Sequence, residues 1–505
     1  MLKLLSTLLV LGSLAIVAGC GDGGGEDASS PLDEALRYLP ANTPFAAAID
    51  TDTKGDQYRS AGEIVDKFGI DVNVEEQIAE AIDAEPDEIK RLEKALGNEF
   101  VVGSTDVRAF VSQSSDEDQS FVGAIQATDA AALDSLVDGG AKKDGEANGA
   151  TIYKDDDSDD PFAIEDDVLI VAGSRKELED ALATRDGDDS LTEEDFDAGT
   201  EGVPADALVR AYFNIEELLS VDDDAKQALK SKWVSALRTG GLAVSIEDDQ
   251  VAIDFNVTTD SGELTDADLP IASGATAPEV LDRGDLNIGL RDPEQILEFA
   301  QATARAIDPG GFGTFAAGKQ QIERRLGIDI EDDLFGQIRG GLAVSVDLDG
   351  KFGARAELDD PAKFERTLGK LADVIPGLVQ GAAGQKVGFV EPKAGEDFYA
   401  VATAGGDNFV FGVVDGVFVL ANDADVAGAL AAEGTEGIPG AKGALVLSAD
   451  AERLVRTVLG ELMDTPIDIP GEIGDATAPA PFDELTGSLE SSTEGLSGSF
   501  ELTFD

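Results

Sequence analysis

Apolar and polar positions alternate with a period of two along several stretches of the chain. Val251, Ile253, Phe255 and Val257 are apolar, while Asp254, Asn256 and Thr258 are polar. That is the pattern of a strand with one buried face. Leu342, Val344, Val346 and Leu348 precede Asp349-Gly350, and Phe352, Ala354, Ala356 and Leu358 follow it. Asp-Gly between two alternating runs predicts a hairpin with positive φ at both turn positions. Asp415-Gly416 predicts the same between Phe409–Val413 and Val417–Ala421. Other stretches change to a helical period. Asp360-Pro361 reads as an N-cap followed by proline in the first turn, with Phe364, Leu368 and Leu371 on one face. Asp292-Pro293 repeats this ahead of Ile296, Leu297 and Phe299, and Pro86 introduces Ile89, Leu92 and Leu96. Hairpins separated by single helices define an α+β fold with mainly antiparallel sheets carrying packed helices, not a doubly wound parallel sheet.

The pattern recurs. Phe162–Ala172 aligns without gaps on Phe411–Ala421, an offset of 249 residues, and a helical stretch ending in Ala-Leu follows each (Ala181-Leu182 and Ala429-Leu430). Asp129–Leu133 follows a strand as Asp360–Phe364 does. Phe68-Gly69-Ile70-Asp71 echoes Leu326-Gly327-Ile328-Asp329, and Val203-Pro204 matches Ile438-Pro439. Because the order of these elements agrees, two tandem repeats are expected, residues 36–264 and 265–505. A further echo, Gly240–Ser245 with Gly340–Ser345, joins a late hairpin of one half to an early hairpin of the other. It reads as a shared strand solution and not as a third repeat.

Ahead of this body, Lys3 supplies a positive start and Leu4–Val17 an apolar run of signal-peptide length, too short for a comfortable membrane span. It ends in Val17-Ala18-Gly19-Cys20, which resembles the lipobox of bacterial lipoproteins. The resemblance implies that residues 1–19 are removed and that Cys20 becomes the acylated first residue. Amide-linked acylation would add further buried chains to the diacylglycerol on its sulfur. An ordinary secretory signal or an uncleaved anchor would carry the same apolar run. What favours the lipobox is that the only cysteine in the chain falls where it needs one. Residues 20–35 include the Gly/Ser/Asp-rich run Gly21–Pro31 and are expected to be a flexible tether. The expected location is therefore the extracytoplasmic side of a cell membrane, with membrane lipid as the partner of Cys20.

Composition narrows the function. The 505 residues hold 37 Lys+Arg against 103 Asp+Glu, for a net charge of −66, and no histidine. A chain this acidic does not hold a nucleic-acid backbone by general attraction. Without histidine there is no Ser-His-Asp triad and no His-ligated zinc; one cysteine allows no internal disulfide and no Cys-ligated cluster. Hydrophobic residues still make up 42%, enough for packed cores.

Leu36-Arg37-Tyr38-Leu39-Pro40-Ala41-Asn42-Thr43-Pro44, followed by apolar residues to Asp50-Thr51-Asp52, resembles the opening segment of a largely actinobacterial family of envelope proteins of unknown function. The resemblance implies extracytoplasmic placement and a duplicated α+β body, and carries no catalytic residue.

Candidate chemistry is thin. Gly313–Gln320 (GTFAAGKQ) approaches a phosphate-binding loop, but Gln320 replaces the magnesium-binding hydroxyl and no strand precedes it, so a Gly-rich loop entering a helix through Gln321 and Ile322 is expected. Gly311-x-Gly313-x-x-Ala316 fails as a dinucleotide fingerprint for the same reason. Asp155–Asp160 and Asp186–Asp195 concentrate carboxylates of the kind Ca²⁺ takes, yet neither has the glycine and glutamate spacing of an EF-hand, and a solvated acidic surface is expected. Trp233 sits in a helical pattern with Leu229 and Leu237 and reads as core. No catalytic, cofactor or metal residue is therefore assigned; Cys20 is the one site residue. The expectation is a non-enzymatic, lipid-anchored module that binds a ligand or partner or serves a structural role. The alternatives are a carboxylate- or cation-dependent hydrolase and a solute-binding lipoprotein.

Overall fold

The structure, a computed structural model, describes residues 30–68, 97–105, 107, 120–138, 141–154, 161–185, 187, 189–220, 225–372, 374, 387–390, 398–403, 408–463 and 481–505. The chain divides into two units: residues 1–226, 237–258 and 503–505 form one, and residues 227–236 and 259–502 the other.

The first unit begins with α1 (Pro31–Leu36), β1 (Phe45–Ile49), α2 (Asp56–Lys67), β2 (Phe100–Ser104) and β3 (Val122–Gln126). Then come α3 (Ala130–Asp138), β4 (Lys142–Ala147), β5 (Ala150–Lys154), β6 (Pro161–Glu165) and β7 (Val168–Ala172). It continues through α4 (Arg175–Arg185), α5 (Glu193–Gly199), β8 (Val209–Asn214) and α6 (Ile215–Ser220). The short helix α7 (Ala225–Ala228) begins in the first unit and ends in the second, α8 (Lys232–Ala236) belongs to the second, and the chain then returns to the first for the hairpin of β9 (Leu237–Glu247) and β10 (Gln250–Thr259). Its strands run in the spatial order β4-β5-β6-β7-β3-β2-β1-β8-β9-β10. The ladders are antiparallel: Phe45–Ile49 of β1 lies between Ser104–Phe100 of β2 and Phe213–Val209 of β8.

The second unit comprises β11 (Leu286–Leu290), α9 (Pro293–Ile307), α10 (Pro309–Leu326), α11 (Ile330–Asp333), β12 (Ile338–Val346), β13 (Phe352–Leu358) and α12 (Pro361–Ala372). It continues with β14 (Val387–Val390), β15 (Phe398–Thr403), β16 (Asn408–Val414), β17 (Val417–Ala421) and α13 (Ala424–Ala432). β18 (Leu445–Asp450), α14 (Ala451–Met463), β19 (Phe482–Ser492) and β20 (Gly495–Phe504) complete it. Here the order is β14-β15-β16-β17-β13-β12-β11-β18-β19-β20. Leu286–Leu290 of β11 lies between Val346–Leu342 of β12 and Ala449–Leu445 of β18, again antiparallel.

The local reasons are legible. Asp166 and Asp167 have φ of 47° and 67° between β6 and β7, and Asp415 and Gly416 have 50° and 87° between β16 and β17. These are two-residue turns whose twist matches the flanking strands. In the Asp349-Gly350 hairpin only Gly350 is left-handed (φ 89°). Gly350 N donates to Asp347 O and Asp347 N to Lys351 O, so the loop is one residue longer than the two-residue turn expected. Asp129 and Asp360 each cap the helix that follows, accepting from Ala131 N at 3.0 Å and Lys363 N at 2.8 Å. Asp292 departs from its expected role: it is left-handed (φ 47°) and its side chain caps nothing.

The expectation of one buried sheet face is too modest for the first unit. Ala46, Ala48, Val101, Ile170 and Ala172 pack on one side with α1, α4 and Phe196, and Ala47, Ile49, Phe100, Val102 and Leu133 on the other. Central strands buried on both faces lose the alternation and read as apolar runs, as Phe45–Ile49 does. The second unit also has two clusters, one around Val419, Ala421, Ala427 and Leu430, the other around Leu358, Phe364, Leu368 and Phe411. The tether expected to reach residue 35 is shorter on its C-terminal side. Ser30 caps α1, which buries Leu32, Ala35 and Leu36. Each fully buried leucine contributes about 2 kcal/mol, so this segment belongs to the folded body.

Candidate functional site

Cys20 lies outside the described residues, as do Asp155–Asp160, Asp186 and Asp188. The rest of the second acidic run is local structure. Thr192 caps α5 by accepting from Asp195 N at 3.1 Å and donates to Asp195 Oδ2 at 2.6 Å, and Glu193 accepts from the Ser30 hydroxyl. These acids occupy the first turn of a helix, where its dipole favours negative charge. Among the described residues no group of three or more Asp, Glu or Cys could hold a metal ion. Gly313–Gln320 is not a loop at all: it lies inside α10. Lys319 Nζ is held there by Glu331 at 2.5 Å and Glu323 at 3.6 Å, which leaves no phosphate cradle. Trp233 is buried, as expected of core.

A set of groups shifted upward gathers at the end of β1, on the Asp50-Thr51-Asp52 segment. Asp50 Oδ1 accepts from Asp52 N at 2.8 Å, closing an Asx turn. Tyr58 of α2 donates its hydroxyl proton to Asp50 O at 2.5 Å. Thr51 donates to Asn98 O and accepts from Gly97 N at 2.9 Å. Next to it, Arg210 of β8 binds Glu99 at 3.0 Å and Asp197 at 2.9 Å and lies 5.2 Å above the Phe196 ring.

Burial shapes the protonation here. It raises Asp50 above the usual carboxylate value, and Asp52 likewise. Glu99 is also raised: burial outweighs the pull of Arg210, and the charge of Asp50 pushes the same way. Tyr58 is pushed far above an ordinary phenol by burial and by Asp50 and Asp52. The cluster thus holds two neighbouring carboxyls, Asp50 and Glu99, both shifted upward by burial, a feature that active sites share with structural charge networks. Each is nonetheless engaged, Asp50 with a backbone amide and Glu99 with Arg210.

In the second unit, Arg283, Lys351, Asp347 and Ser345 line a shallow depression above Val426 and Leu430 with room for about one water molecule, too small for a small-molecule pocket. Its two cations already pair, Arg283 with Glu433 at 3.0 Å and Lys351 with Asp349 at 3.7 Å. Beside it, Asp285 is buried, accepts from Leu348 N at 2.7 Å and pairs with Arg453. Sequence reading passed over Arg210, Glu99 and Asp285. The available signal was a charge inside or next to an apolar strand, as in Leu208-Val209-Arg210-Ala211.

No family model matches the chain, and no curated protein matches it in sequence. Among solved structures, crystal form III of TP0453 is similar at 8% identity, covering 46% of this chain and 82% of that chain, with a TM-score of 0.27. Crystal form I of TP0453 gives 9% identity, 48% and 83% coverage, and the same TM-score. Likeness at that level carries no argument about this chain.

Proposed function

We propose that this protein is a lipid-anchored, extracytoplasmic envelope module, held to the membrane through acylated Cys20, whose duplicated body binds a partner or ligand or serves a structural role without catalysis. The observation that carries the reading is the placement of the chain's single cysteine at the end of Leu4–Val17, directly after two small residues. The reading of the opening segment as that of the actinobacterial envelope family agrees with it. In the folded body that segment is structural: Tyr38 and Leu39 are buried, and Pro40 bridges to Ser190.

Duplication of the body is part of the proposal, and several agreements support it. Raising each strand number of the first unit by ten gives the strand order of the second. The ladder Val122↔Ala172 to Gln126↔Val168 has its counterpart in Gly353↔Ala421 to Glu357↔Val417. Tyr153 stacks on Phe162 at 5.4 Å and 23°, and Tyr399 on Phe411 at 5.5 Å and 16°, in matching strands. The Pro40↔Ser190 bridge has a partner in Val280↔Glu436. The Gly240–Ser245 echo falls in β9 and β12, which are not counterparts in this scheme.

One observation favours a second reading, a carboxylate-dependent hydrolase: the neighbouring, upward-shifted Asp50 and Glu99. Turnover lost in Asp50→Asn would establish it. The antiparallel order gives no support to a solute-binding lipoprotein of the doubly wound kind. For the lead reading the test is Cys20→Ala: the protein leaves the membrane fraction or accumulates unprocessed. Undiminished membrane association overturns it.

A further inference from the structure

We infer that Arg355 of β13 is an anion-binding residue whose guanidinium receives the carboxylate of a small organic acid. Among the described residues two arginines are buried, Arg210 at 7% and Arg355 at 9% exposure. Arg210 is held by two carboxylates. Arg355 makes no ion pair and no side-chain hydrogen bond with any described residue, and its Nε is sealed from solvent without a partner. Acids outnumber Lys+Arg by 103 to 37 in this chain, so a carboxylate for a buried cation is easily supplied. Glu357, two residues along the same strand face and within reach of the charge of Arg355, pairs instead with Arg339 at 2.6 Å. A buried charge with no protein partner is costly, and an anion from outside the chain relieves that cost.

Packing does not demand an arginine at this place. Arg355 stands on the rung between Ala343 of β12 and Val419 of β17. Both belong to the apolar cluster completed by Ala427 and Leu430 of α13. The matching rung of the first unit, Ala124↔Ile170, carries alanine in a core of the same kind. The terminal nitrogens of Arg355 are not among the sealed atoms, so the planar end of the side chain keeps an opening while its stem is packed in apolar surroundings. That end presents paired N–H donors that match the two oxygens of a carboxylate. Charge chooses among anions: a body of net charge −66 repels a divalent phosphate more than a singly charged carboxylate. The inference gives a chemical class to the ligand of the proposed binding module and rests on that reading, but not on the anchor at Cys20.

The test uses the full chain with ¹⁵N-labelled arginine at constant ionic strength, sodium acetate or benzoate replacing sodium chloride. The side-chain resonance of Arg355 is assigned by its loss in Arg355→Lys. Acetate and benzoate should shift it saturably, and inorganic phosphate less. Lysine keeps the charge without the planar fork, so Arg355→Lys should weaken benzoate binding by roughly 10-fold and Arg355→Met by roughly 100-fold, read from the benzoate-induced rise in melting temperature. Without added carboxylate, Arg355→Met should melt above the unsubstituted chain, because an unpaired buried charge gives way to apolar volume. A structural ion pair at this position would make the same variant melt lower. A resonance indifferent to carboxylates, phosphate binding as tight as that of benzoate, or a lower melting temperature for Arg355→Met overturns the inference. The mass of the N-terminal peptide reports acylation of Cys20 separately, so the envelope module can stand where the Arg355 site fails.

Discussion

Asp50 is where the two functional readings make opposite demands on one side chain. Its carboxyl is pushed upward by burial, so the folded state binds its proton more tightly than the unfolded chain. Such a carboxylate opposes folding at neutral pH, and the penalty is relieved as pH falls through its raised pKa toward the ordinary value near 4. Asp50→Asn keeps the acceptor for Asp52 N and removes the charge. Thermal melts should show a rise on the order of 2 °C at pH 7 that vanishes at pH 4, with binding to the native envelope unchanged. The hydrolase reading predicts loss of turnover instead. Arg210→Ala should act in the other direction, lowering stability by about 2 kcal/mol in denaturant titrations, because Glu99 and Asp197 lose their shared cation. An unchanged midpoint would show that this triad is ornamental. Asp268, Glu331, Asp333 and Glu357 are shifted downward; what they contribute is present above ordinary carboxylate values and lost as pH falls through their lowered ones.

Among the elements, the paired turns offer a comparison within one chain. Asp167 and Gly416 occupy equivalent left-handed positions, and only one of them is glycine. The left-handed region costs a side chain about 1 kcal/mol, so Asp167→Gly should stabilise the first unit and Gly416→Asp destabilise the second by similar amounts. Equal and opposite shifts in unfolding midpoint would support equivalence; shifts of the same sign would count against it. The Asp415-Gly416 hairpin was legible in the sequence because Asp-Gly between two strand-like runs leaves few conformations. Other features were not. Asp349-Gly350 reads like Asp415-Gly416, but the bonds from Asp347 and Gly350 set a longer loop. Gly313–Gln320 reads as a loop because glycine is a poor helix former, yet the Asp308 cap and the contacts of α10 with α9 override propensity. The double burial of β1 was hidden because an all-apolar run carries no period. The Asp50–Glu99–Arg210 cluster was invisible for a different reason: its members lie on separate strands and loops, and among 103 acids no pair stands out.

For the whole molecule, charge and duplication dominate. With a net charge of −66, self-repulsion opposes the compact state, and salt relieves it within a Debye length of about 8–10 Å at physiological ionic strength. Melting temperature should therefore climb as sodium chloride is raised from low to molar concentration; a flat or falling curve would mean that local ion pairs outweigh the general field. The proposed duplication accounts for the strand order that the two units share. The proposed location rests on a feature of another kind, the chain's single cysteine, Cys20. The most direct test is mass spectrometry of the N-terminal peptide from the membrane fraction of the native host. The account predicts a mature chain that begins at Cys20 and carries acyl mass on that residue. A chain recovered from the cytosol with Cys20 unmodified and residues 1–19 still attached would contradict it.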